Sequence, residues 1–428
     1  MSELHNEFSA VRIGDSQLVP WYRVAAVASM VSFSLPTFVT GLELSHGLAP
    51  VDTLWSVLIG SLIIFLIGGV MGVIGSRTRM SSYLLVRVAF GDAGAGIVNI
   101  AFAISLLGWF GININLFTDA VGRLLLDVFG YAVHPWALVA FASVCMTTST
   151  LIGFKAINLL ATLMVPVLAV VTVLFFTSAL ETQSLGQIMS MEKASGLSIG
   201  EGASAVVGAI IIGAIILPDI TRFIKHWKGA LYTAFLAYMV VEVIVMFAAG
   251  LAGASSGKSD ILEIMLDMGL GLGAFVVVIA GSWVLNSLNL YSAALSTQAT
   301  FPKLNSTAVI LALGAIGIAA ALMNFLDSFV TFLFYLSIIF VPVAGVILSD
   351  YLFIRPEAYK IETLDQRTRM NVRGFVAWSL GAALTLLGAE GIVPAISGIA
   401  AIDAIILSGG VYTLLSWGHR AQQNHSTV

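Results

Sequence analysis

Three polar or aromatic residues inside one apolar stretch are spaced four apart: Ser105, Trp109 and Asn113. Helical geometry stacks them on one face. That face offers a hydroxyl, a broad aromatic plane and an amide. A planar heterocycle needs this set, a ring against its face and a donor and acceptor at its edge. The alternative use is helix–helix packing, with Asn113 as an interhelical bond. Asn286 and Asn289, three apart in a second apolar run, present two amides on one face. Buried amides are costly unless partnered, so they form either a binding surface or a polar clasp between helices. Glu242 lies mid-way along a third run. A carboxyl there is either a proton carrier or a neutral acid bonded to a neighbour.

Other polar groups suit structure better. Asp219 and Arg222, at the inner end of a span, form an ion pair or a helix-end clamp at a gate. Asp119, Glu43 and Asp403 stand towards helix ends, and the single cysteine, Cys145, reads as a packed thiol. The six histidines are scattered singly. The chain shows no phosphate-binding loop, no zinc-ligand spacing and no nucleophile with an accompanying base. An enzyme is not expected, nor a cofactor. Any work must draw on an ion gradient, or a solute flows downhill.

The elements that position these residues follow from composition. Of 428 residues, 59% are hydrophobic and only 10% charged; the mean hydropathy is +1.00. Soluble domains carry roughly 25% charged residues, so lipid is the solvent this chain suits. Apolar stretches recur at 24–44, 52–75, 95–125, 135–154, 157–180, 203–218, 229–253, 270–296, 306–326, 328–353, 374–392 and 397–417. Each approaches the roughly 20 residues that cross a bilayer, and lipid leaves the backbone only helices or a closed barrel. The expectation is an all-α membrane protein of twelve transmembrane helices. With both termini in the cytoplasm, sixteen of the 19 basic residues fall inside, and Arg123, Lys193 and Lys258 fall outside. That bias fits the positive-inside rule and a multi-pass protein of the inner (plasma) membrane.

Two spans carry breaks. The first holds Ser32-Phe33-Ser34-Leu35-Pro36, where Pro36 cannot donate to the preceding turn. The sixth holds Gly208 and Gly213, then Leu217-Pro218-Asp219. Glycine tolerates unwinding, and transporters break helices beside a central site. Spans 1–5 and 6–10, about 24–180 and 203–353, then read as a 5+5 inverted repeat. The expected organisation is a cytoplasmic tail over 1–23, a core over 24–353, and a loop, two further helices and a tail over 354–428.

Four motifs occur in order: Gly108-Trp109-Phe110-Gly111, Leu217-Pro218-Asp219-Ile220-Thr221-Arg222-Phe223, Asn286…Asn289-Leu290-Tyr291-Ser292, and Pro342-Val343-Ala344-Gly345…Ser349-Asp350-Tyr351. Together they resemble the purine–cytosine permease branch of the nucleobase–cation symporters. The resemblance implies a LeuT-like fold and a substrate site between spans 1, 3, 6 and 8. That site would use Phe33 and Ser34, then Ser105, Trp109 and Asn113, then Ile210 and Ile212, and finally Asn286 and Asn289. Leu106 stands where cytosine permeases carry a glutamine, and the Ile210–Ile212 region replaces their polar and aromatic contacts. A cation site would involve Ser29 and Ser32 of the first span. Its hydroxyl pair on span eight is replaced here by Val284 and Leu285, leaving Ser287 as a substitute. The resemblance therefore implies proton coupling, with Glu242 a candidate carrier, and keeps sodium as the alternative ion.

The leading expectation is a secondary symporter of a nucleobase or related planar heterocycle, working by alternating access. Its partners are a small heterocyclic solute, a coupling cation and the lipid bilayer, with no nucleic acid. A LeuT-like carrier of an amino acid is a second reading, and a non-transporting membrane sensor a third. An amino-acid carrier would meet a carboxylate with helix N-termini and need no stacking platform.

Overall fold

In the computed structural model, residues 17–152, 154–192, 196–301, 303–360, 362 and 369–425 are described. Most of the expected N-terminal tail, and Lys193 and Arg367 of the orientation argument, lie outside them. Ten helices are long and apolar enough to cross a membrane, or eleven counting one bent pair; Ser306–Leu322 is a shorter apolar helix. In chain order they are α1 (α1a Trp21–Ser32 and α1b Leu35–Gly47), α2 (Pro50–Thr78), α3 (Ser82–Phe129), α4 (Pro135–Ile152), α5 (Phe154–Thr182), α6 (Ile199–Ile216), α7 (Trp227–Ser256), α8 (Leu272–Thr300), α9 (Ser306–Leu322), α10 (Phe329–Ser349), α11 (Val372–Ala389) and α12 (Ala400–His425). Side chains such as Leu66, Ile104, Val144 and Val170 point outward, uncovered by protein. An apolar exterior of this kind suits lipid.

The first helix breaks where the sequence places serine and proline. Its halves meet at 49°. Ser34 is extended, and Pro36 falls in the opening turn of α1b, where a missing N–H costs nothing. Ser32 Oγ donates to the Ala237 carbonyl of α7 at 3.0 Å, and the hydroxyls of Ser34 and Thr37 share a bond of 3.1 Å.

The sixth helix departs from expectation. It runs unbroken through Gly208 and Gly213 and is interrupted only at Leu217, ahead of Pro218. Gly208 serves close approach instead: a Cβ there would stand 1.7 Å from the Leu333 carbonyl oxygen of α10. The third helix also differs, its first part over 82–90 being set off from the rest by a kink. Gly91 joins the two at φ 76° and ψ 174°, a conformation that only glycine adopts readily.

Two further features shape the interior. Phe235–Val241, inside α7, is a π-helical turn. Helices α3 and α8 pack antiparallel: Tyr83 Oη donates to Ala299 O, Thr300 Oγ1 to Gly96 O, and Asn286 Nδ2 to Phe110 O. Below them, Asp350 is fully buried and takes a two-pronged bond from Arg355, at 2.9 and 2.8 Å, plus the hydroxyls of Tyr359 and Tyr412. Asn371 extends this clasp to Tyr412 and to Ala89 O. It fastens α12, through Tyr412, to the end of α10, to Arg355 and Tyr359 just after it, and to the 82–90 segment.

Candidate functional site

A cavity of about 480 Å³ lies between α1, α3, α5, α6, α7 and α8. The break in α1 forms one wall, with Phe33 and Ser34 facing the space. Extended backbone between two helix ends leaves polar groups pointing inward, which the middle of an intact helix cannot do. Across from it, α3 contributes Asn99, Phe102 and Leu106, spaced on one helical face. Helix α6 supplies Ile212, and α8 supplies Val284, Leu285 and Tyr291. At one end the cavity reaches Ser82, Asp219 and Arg222.

Of the residues singled out by sequence, Phe33, Ser34 and Ile212 therefore border the cavity, as do Val284 and Leu285, which offer no oxygen to a cation. Ile210 is buried elsewhere on its helix. Ser105 Oγ bonds to its own helix at Phe102 O. Trp109 is packed edge-on against Phe329 and Phe332, at 5.8 and 5.5 Å between ring centres. Asn113 Nδ2 donates to Trp109 O at 2.8 Å. Asn286 Nδ2 donates to Phe110 O at 2.9 Å and to Met146 Sδ at 3.0 Å. Both amides are fully buried, and neither side-chain oxygen has a partner among the described residues. Asn289 is half-buried beside them. None of Ser105, Trp109, Asn113, Asn286 and Asn289 borders the cavity; Leu106 is the last α3 residue that does, while Leu285 and Leu288 of α8 border it on either side of Asn286.

Asp219 and Arg222 make helix-end contacts. Asp219 Oδ1 accepts from the backbone N–H of Ser82 at 2.7 Å, and both its oxygens receive the Ser82 hydroxyl. Arg222 Nε donates to the Asp219 main-chain carbonyl, and Arg79 donates to the carbonyls of Arg222 and Ile224. A carboxylate at the start of a helix also meets its positive end.

Among the coupling candidates, Ser29 Oγ is buried without a partner. Ser32 is bonded to Ala237, and Ser287 Oγ turns to Trp283 O of its own helix at 3.0 Å. Glu242 is fully buried, with both carboxyl oxygens unpartnered. Sequence reasoning missed Asn99, Phe102 and Tyr238 as cavity residues. The signal available was the spacing of Asn99, Phe102 and Leu106; two of the three are apolar and pass for lipid-facing side chains.

Ten or more apolar helices around a central cavity at a broken helix define a multi-pass membrane transporter. Residues 21–411 match the family described as permeases for cytosine/purines, uracil, thiamine and allantoin, and the chain belongs to that family. It is 29% identical over 348 residues to the cytosine permease of Escherichia coli K12, covering 80% of each chain. It is 23% identical over 399 residues to the allantoin permease of Bacillus subtilis, covering 83% of this chain and 81% of that one. Its fold is that of Mhp1, a nucleobase–cation symporter family transporter. The inward-facing form superposes with a TM-score of 0.79 at 18% identity, over 95% of this chain and 91% of that one. The closed form, with bromovinylhydantoin bound, gives 0.74 at 19% identity, over 95% and 93%.

Proposed function

We propose that the protein is a secondary symporter that imports a nucleobase or similar planar heterocycle with a proton, by alternating access, across the plasma (inner) membrane. The observation that carries this reading is the pair of unpartnered amide oxygens, Asn113 Oδ1 and Asn286 Oδ1, on facing helices beside Trp109. Burying an acceptor without a donor costs about 1–3 kcal/mol, a cost that the donors of a bound solute would offset. The ring N–H and exocyclic amino groups of a heterocycle are such donors. Phe33 and Phe102 add aromatic rings to the cavity wall. The family description and the cytosine permease relative favour the same substrate class.

The α8 wall of the cavity favours a proton over sodium. A sodium ion needs several hard oxygens. On α8, Val284 and Leu285 border the cavity and give none, and the neighbouring Ser287 hydroxyl bonds to its own helix. A proton needs only one titratable group. The positive-inside bias puts both termini in the cytoplasm, and the end of the cavity bordered by Ser82 and Asp219 then faces inward.

Thermal-shift screening of the purified protein tests the substrate class, using cytosine, uracil, allantoin, hydantoin, pyridoxine and a set of amino acids. Stabilisation by one or more heterocycles and by no amino acid is expected. Stabilisation by an amino acid alone overturns the reading.

A further inference from the structure

Glu242 stands at the junction between the π-helical turn Phe235–Val241 and the regular helix beyond it. It is completely buried, and neither of its oxygens has a partner among the described residues. An unpaired carboxylate is costly in such a place, and taking up a proton relieves that cost. A purely structural acid would bond to something. A leucine or valine would fill the space without an unmet polar group.

Its surroundings connect it to the moving parts. Helices α1b and α7 run parallel and in close contact: a Cβ on Gly41 would lie 2.2 Å from Met246 O, and one on Gly253 would lie 2.3 Å from Ser45 Oγ. One turn back along this register, Glu242 is level with Thr37 and Phe38, at the α1 break. The preceding turn carries Ala237, whose carbonyl holds Ser32, the last residue of α1a. It also carries Tyr238, which borders the cavity. On α2, the buried Ser61 hydroxyl is also unpartnered. Contacts of Gly68 with Tyr238 and of Thr53 with Gly250 set Ser61 at the level of Glu242. π-turns often mark functional positions, because one extra residue frees a carbonyl from the ladder.

The charged and titratable groups on the packed elements are remote, Tyr238 excepted. Helix α1b carries Glu43 and His46, and α1a carries Tyr22 and Arg23. Helix α2 carries Asp52 and Arg77, and α5 carries Glu181 among its described side chains. The helix Ile261–Asp267 carries Glu263 and Asp267, and α7 itself carries Lys228 and Tyr232 towards its start. Glu43 is the nearest of these along the α1b register, six residues or about 9 Å of helical rise away. The rest stand at helix ends.

From these contacts we infer that Glu242 is the proton-binding site of the transport cycle, opened and closed by the Ser32–Ala237 contact between α1a and α7. This rests on the carrier reading above. On the outer side, a hydronium ion gives its proton to the carboxylate; one O–H bond forms and a water is released. The neutral acid then fits the closed packing seen here. When α1a swings away, Ser32 leaves Ala237, and cavity water passes Tyr238 to reach the acid. The O–H bond breaks, and the proton leaves on that water. Solute and proton share the α1 hinge, which couples them.

The test uses the full chain in proteoliposomes with an internal pH dye, and labelled cytosine, uracil and allantoin as probes. In the wild type, solute entry should acidify the lumen. Glu242→Gln should keep solute exchange across the membrane but lose solute-induced acidification and pH-driven accumulation by at least about tenfold, a loss of coupling rather than of binding. Glu242→Asp, which keeps an acid, should restore acidification. Monodispersity on size exclusion checks folding of each variant. Glu242→Gln that acidifies per solute like the wild type overturns the inference and leaves the carrier reading intact. A wild type that moves solute without acidification overturns proton coupling and the inference together. If no probe moves, infrared titration of the carboxylic-acid band, assigned by its loss in Glu242→Gln, decides: a band unresponsive to pH in both wild type and Ser32→Ala overturns the site.

Discussion

Asn286 directs its amide nitrogen to the main-chain carbonyl of Phe110, 2.9 Å away, and leaves its own oxygen unmet in a fully buried setting. The bond ties α8 to α3 one residue after Trp109. It also fixes which half of the amide remains for a ligand, namely the acceptor. Asn113 does the same within α3, donating to Trp109 O and keeping its oxygen free. Under the proposed function these two acceptors would select solutes that carry N–H donors.

The first prediction concerns that selection. Asn286→Leu or Asn113→Leu removes one acceptor and should weaken solutes with a matching N–H by about 1–3 kcal/mol, some 5- to 150-fold. Analogues methylated at that nitrogen should lose far less. Titration calorimetry of a heterocycle and its N-methyl series on folded variants measures this. Equal losses across the series would mean that the amides only pack.

Two glycines of α6 should respond oppositely. A Cβ at Gly208 meets the Leu333 carbonyl at 1.7 Å, whereas at Gly213 the nearest atom is Val31 Cγ1 at 3.8 Å. Gly208→Ala forces α6 and α10 apart and should cost about 1–3 kcal/mol, as overpacking does. Gly213→Ala should leave the melting temperature unchanged or raise it. Thermal melts of both variants in one detergent settle the contrast.

The Asp350 clasp makes a third prediction. Its carboxylate is fully buried and meets Arg355, Tyr359 and Tyr412. Asp350→Ala strands these donors and should destabilise by about 3–5 kcal/mol, the cost of breaking a buried charge pair. Protease sensitivity of the 355–371 loop should rise with it. An unchanged melting temperature would show that the clasp is dispensable.

Orientation gives the fourth. Lys258 lies beside Asp267 at one end of the molecule, and Lys360 follows the clasp at the other. In intact cells, with Cys145 replaced by Ala, an impermeant thiol reagent should label Lys258→Cys and spare Lys360→Cys. The reverse pattern would invert the topology and turn the cavity outward.

Much of this was legible in the sequence, for reasons that differ residue by residue. The α1 break was readable because Pro36 removes a donor and Ser34 tolerates extended backbone. Glycine carries no such single meaning: Gly208 suits both unwinding and close packing, and only the position of α10 decides between them. The partner of Asn286 depends on the register of α3 against α8, which no local pattern states. The π-turn before Glu242 arises from a one-residue shift in hydrogen bonding and leaves no periodic trace. Phe102 is one apolar residue among many along α3, and only the placement of α1 and α8 opposite it sets it in the cavity wall.

The central claim is proton-driven transport of a planar heterocycle, and uptake into proteoliposomes tests it most directly. Labelled cytosine, uracil and allantoin would each be offered under an imposed inward proton gradient, and separately under a sodium gradient at fixed pH. The account predicts accumulation of at least one heterocycle under the proton gradient, its collapse by a protonophore, and indifference to sodium. Accumulation that needs sodium, or an amino acid accumulating where no heterocycle does, would contradict it.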